Sequence, residues 1–68
     1  MINEQINQIL LDLNCIAYAY NKENNSIEKT HYSGGSTYGL SELINIVNEL
    51  NNNSIKYRVD KLQNILII

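Results

Sequence analysis

His31 is the single histidine of the chain, and it stands beside Tyr32 and just before Ser33-Gly34-Gly35-Ser36-Thr37. A histidine next to a serine-rich turn is the least from which a nucleophilic or acid–base site can be assembled. Such a base also needs a carboxylate to orient it. The nearest in sequence are Glu23 and Glu28, and strand alternation puts Glu28 on the face opposite His31. No catalytic residue is therefore assigned, and a small hydrolase or nuclease built on His31 is retained only as an alternative. The same segment has the outline of an anion cradle, because glycines let backbone N–H groups converge and a helix amino terminus attracts negative charge. Ser33, Gly34, Gly35, Ser36 and Thr37 are thus the candidate residues for binding phosphate or a small ligand. The lysine and the glycine spacing of a phosphate loop are missing, so a plain connection between strand and helix is the first expectation.

Cys15 follows a helical stretch and has no basic neighbour to lower its pKa, which suits an apolar filler better than a reactive thiolate. With Cys15 and His31 as the only soft ligands, neither a metal site nor any other cofactor is expected. Lys56 and Arg58 share one strand face, with Lys61 following. Three scattered bases in a chain of formal net charge −2 make a solvated face and give no reason to expect nucleic-acid binding. Tyr18 and Tyr57 belong to the apolar side of alternating segments, whereas Tyr32 and Tyr38 flank the glycine turn, where tyrosines serve as anchors for other proteins.

Sixty-eight residues make one domain, 1–68, and a chain of this size buries only about 60% of its unfolded surface. A lone cysteine allows no internal disulfide, so good packing or self-association has to supply the missing stability. No apolar run approaches the roughly 18 residues of a membrane span and no secretion signal opens the sequence, so a cytoplasmic protein without membrane contact is expected. Abundant Asn and Ile, with no Pro or Trp, suggests the codon bias of an AT-rich genome such as that of a phage or other mobile element.

The elements that position these residues form two similar halves, 1–33 and 37–68. Ile6, Ile9, Leu10, Leu13 and Asn14 are echoed by Leu43, Ile46, Val47, Leu50 and Asn51, an offset of 37. Ile16, Tyr18 and Tyr20 are echoed by Ile55, Tyr57 and Val59, an offset of 39. Helical spacing gives way to alternation at the same point in each half. The expected fold is α+β, two αββ units in the order α-β-β-α-β-β, with both helices on one face of a four-stranded, mainly antiparallel sheet.

That architecture leaves apolar residues over. Leu11 falls on the wet side of the first helix. Ala17 and Ala19 share the outer sheet face with the positions of Lys56 and Arg58, and the last strand, Ile65-Leu66-Ile67-Ile68, is apolar on both faces and would invite strand addition at an open edge. Leu11, Ala17, Ala19, Tyr32, Tyr38, Leu66 and Ile68 are the candidate interface. The expected function is that of a non-enzymatic protein-binding module, a small inhibitor or adaptor acting on a host protein or a homodimer, so the partner is another protein or a second copy.

Overall fold

The computed structural model of the chain describes residues 2–30 and 37–68, apart from the side chains of Ile2, Thr37 and Tyr38. Two helices, α1 (Ile2–Asp12) and α2 (Thr37–Asn52), alternate with two hairpins, β1 (Tyr18–Asn21) with β2 (Ser26–Lys29) and β3 (Tyr57–Val59) with β4 (Ile65–Ile67). The strands form one antiparallel sheet in the order β1-β2-β4-β3.

Both helices end in the same way. At α1 the Cys15 amide donates to the Leu10 carbonyl and the Asn14 amide to Leu11, with Asn14 at φ 53°. At α2 the Ile55 amide donates to Leu50 and the Ser54 amide to Asn51, with Ser54 at φ 57°. This is the Schellman closure, in which a left-handed residue turns the chain back and an apolar residue after it packs on the last turn. Cys15 and Ile55 are those apolar residues. The helix ends therefore correspond at an offset of 40, one helical turn away from the 37 that the apolar pattern suggested. A shift of three residues leaves a helical stripe on the same face, so periodicity cannot tell the two registers apart.

The strands keep the offset of 39, and each hairpin turn is held by the residue at its base. The Asn21 side-chain oxygen accepts from the amides of Glu23 and Asn24, and Asp60 Oδ1 accepts from those of Leu62 and Asn64. In the sheet, Ile27 pairs with Ile65, and both are fully buried at its centre. The register runs outward symmetrically from that pair.

Residues paired across strands share a face. Tyr20, Ile27, Ile65 and Val59 make one row facing the helices, and Asn21, Ser26, Leu66 and Arg58 make a row on the outer face. Ile6 and Ile9 of α1 and Ile46 and Leu50 of α2 close the core over Tyr18, Ile27, Ile65 and Ile67. Among the described tyrosines Tyr18 is the buried one, while Tyr57 and Tyr20 are both half-buried, so the expected matching burial of Tyr57 is not found. Tyr57 lies on an edge strand, where the helical cover runs out. For the same reason Val59, aligned with the inward row, is exposed.

The carboxy-terminal strand is central, because β4 lies between β2 and β3, and it offers no open edge. Its second apolar face is partly sheltered, with Leu66 half-buried among outer-face side chains. The inward face of α2 is centred on Gly39, Glu42, Ile46 and Leu50, which turns Leu40 and Ile44 towards solvent. A carboxylate thus occupies a core position on this helix.

Candidate docking groove at the open sheet edge

Strand order makes β1 and β3 the two edges. Hydrogen-bond phase decides what each edge presents. The Thr30 amide donates to the Ala17 carbonyl at 2.9 Å. In an antiparallel ladder bonded and non-bonded pairs alternate, so Ala19 and Asn21 bond to β2 while the N–H and C=O groups of Tyr18 and Tyr20 point out of the sheet. Bonds from the Ile68 amide to the Lys56 carbonyl and from the Asp60 amide to the Asn64 carbonyl fix β3 in the same way, with Tyr57 and Val59 outward.

A groove of about 550 Å³ runs along β1, walled by Asn7, Leu10, Leu11 and Cys15 on one side and by Tyr18, Ala19 and Tyr20 on the other. Tyr18 and Tyr20 belong to the inner face and Ala19 to the outer, so the groove follows the strand edge itself. Both tyrosine rings are tied back. The Tyr18 hydroxyl donates to the Gln63 carbonyl at 2.9 Å, and the Tyr20 hydroxyl to Asn25 Oδ1 at 2.7 Å. Their backbone is left facing the groove, and no described residue pairs with it.

Glu42 sets the line of the strand from below. Buried on α2, its Oε1 accepts the Ile16 and Ala17 amides, each at 3.0 Å, and Oε2 accepts Ile16 at 3.2 Å. These bonds bend the chain before β1, so alternation begins only at Tyr18. Ile16, expected inward, is exposed, and Ala17 is fully enclosed. Ala17 consequently leaves the set of interface residues, since no part of it reaches the surface.

The groove wall is chemically quiet. Burial, and then the neighbouring Glu42 carboxylate as charge and as hydrogen-bond partner, push the Cys15 thiol up to about 12, so almost no thiolate exists near neutrality. Burial, with Glu42 and Asp60 behind it, also raises Tyr18. On the outer face Ser26 Oγ donates to Glu28 Oε2 at 2.6 Å, with Asn24 and Asn21 adding weaker bonds. These donors hold the Glu28 carboxyl below its usual range. Among the described residues no group of His, Cys, Asp and Glu is placed to hold a metal ion, and no helix is long and apolar enough to cross a membrane.

The opposite edge has an equivalent depression of about 520 Å³, lined by Asn51, Ser54, Ile55, Lys56, Tyr57 and Ile68. By the helix and strand offsets, Asn51 stands where the first groove has Leu11, and Arg58 where it has Ala19. One edge is apolar and the other polar and basic. Of the expected interface residues the fold brings Leu11 and Ala19 into one groove. Leu66 sits on the outer face of a central strand, and Ile68, 74% exposed, lies at the far edge. His31, Tyr32 and the candidate anion-binding residues Ser33, Gly34, Gly35 and Ser36 lie outside the described residues, as do the side chains of Thr37 and Tyr38. Leu10, Cys15 and Glu42 had no signal in sequence pointing to this groove, because each reads locally as part of a helix stripe or cap. Comparison with protein-family models, with curated proteins and with solved structures finds no match.

Proposed function

We propose that the chain is a non-enzymatic protein-binding module that receives an extended segment of another chain along β1. The observation that carries this is the groove in which the outward backbone groups of Tyr18 and Tyr20 lie beside Leu11, 70% exposed, and Ala19. Main-chain bonds to such an edge supply affinity, and apolar walls supply selectivity. A small cytoplasmic inhibitor or adaptor, or a homodimer, carried by a phage or other mobile element, is the form of this function that suits the small size and the Asn- and Ile-rich composition. The test is a photo-crosslinking residue at position 11, with position 62 as an exposed control, used to capture partners from cell extract. Adducts from position 11 that are lost in an Ala19→Lys background support docking at the edge. Adducts from position 62 alone, or adducts indifferent to Ala19→Lys, refute it.

A further inference from the structure

Taking β1 as a docking edge, we infer that its occupant is a second copy of this chain, with the two β1 strands paired antiparallel about a two-fold axis at Ala19. The phase of the ladder allows this register. Tyr18 of one copy then faces Tyr20 of the other, and both have outward N–H and C=O groups, so each pair exchanges two backbone bonds. The four-stranded sheet becomes one half of a continuous double sheet. Pairing β1 with itself closes the assembly at two copies, whereas pairing β1 with β3 is head-to-tail and gives a ring or an open filament.

The charge distribution favours self-pairing. Tyr-Ala-Tyr-Asn of β1 contains no charged residue, so the two strands meet without like charges opposed. Edge strands of monomers are ordinarily guarded by charge, and here that guard is present only at β3, where Lys56 and Arg58 are exposed. A further complementarity lies at the groove's end. The last turn of α1 holds no basic residue and closes on Asp12, so its negative dipole end carries an additional negative charge. In the antiparallel register Lys22, which follows β1, runs on towards the segment that precedes β1 in the other copy, beside that helix end. Each copy thus offers the other the cation its own helix lacks. The axis also brings together the exposed Leu11 of both copies, burying apolar surface that a 68-residue chain without a disulfide can use for stability.

Sedimentation of the full chain from about 10 μM to about 1 mM tests this directly. The wild type is expected to show a mass that rises with concentration towards that of a dimer. Ala19→Lys and Ala19→Glu, at an exposed position, should each stay folded by circular dichroism and sediment as monomers, because like charges meet on the axis. An equimolar mixture of the two should recover the dimer. A wild type that is monomeric throughout, or a dimer unaffected by Ala19→Lys, overturns the second copy as occupant. If the wild type is monomeric while position 11 still crosslinks a foreign protein, the docking function survives and only the identity of the partner is wrong. If neither association nor crosslink is seen, both fail.

Discussion

Removing the Glu42 carboxylate should destabilise the protein more than any other single polar change. Glu42 is only 7% exposed and satisfies the amides of Ile16 and Ala17. Hydrogen bonds to a charged group contribute about 1.5–3 kcal/mol each, and a buried donor left without a partner costs about 1–3 kcal/mol. The Ile16 amide can recover water, because that residue is 44% exposed, whereas Ala17 is fully buried and its amide cannot. Glu42→Ala should therefore cost about 2–4 kcal/mol in total. Glu42→Gln keeps one acceptor for Ala17 but turns an NH₂ group towards Ile16, and should cost about 1–2 kcal/mol. A domain of 68 residues has about 3–10 kcal/mol in all, so the alanine variant would lose a large share of it. Urea unfolding at pH 7 followed by circular dichroism gives both values. Amide exchange at Ala17, expected to accelerate in either variant before that at Ile27 or Ile65, locates the effect. An alanine variant within about 0.5 kcal/mol of wild type, or Glu42→Leu raising stability, would show that the buried carboxylate is a burden rather than a tether.

Ser54 holds a left-handed conformation that costs an L-residue about 1–2 kcal/mol, and part of this is recovered by glycine. Ser54→Gly is expected to raise the urea midpoint, and a fall would mean that its side chain contributes something the closure does not. Iodoacetamide should modify native Cys15 at pH 8.5 at least about tenfold more slowly than the urea-unfolded chain; equal rates would contradict the raised pKa. Because the folded thiol titrates above the unfolded one, its contribution to stability is complete below pH 9 and lost towards pH 12. Glu28 has the opposite sign. Its lowered pKa stabilises above the ordinary value of 4.5, and the contribution is lost as pH falls through the folded pKa. A Glu28→Gln variant less stable than wild type at pH 7 should therefore converge with it at strongly acidic pH, and a constant gap would exclude the carboxylate as the cause.

How much of this was legible in sequence depended on whether a feature is set by local pattern or by the meeting of distant elements. The six elements and their α+β class follow from helical spacing that yields to alternation at Asn14-Cys15 and again at Asn53-Ser54. The register between halves did not follow, because a helical stripe slid by one turn looks the same, and only the left-handed Asn14 and Ser54 mark the true correspondence. Strand order is fixed by pairing across about 40 residues, between Ile27 and Ile65, to which no local rule refers.

The candidate site shows the same division. Leu11 and Ala19 stood out individually as apolar residues in exposed places, and the fold brings them to one groove. Glu42 was invisible, because a charged residue in a helix is by default assigned to solvent. Yet Glu42 holds the chain just before β1, since its bonds to Ile16 and Ala17 end at the point where the ladder of β1 begins. The difference between the two edges follows from a few substitutions on a common frame. Where β3 carries Arg58 and the end of α2 carries Asn51, β1 carries Ala19 and the end of α1 carries Leu11. Two edges on a common frame thereby differ in chemistry, one charged and the other uncharged, and charge is what ordinarily guards an edge strand against a further strand.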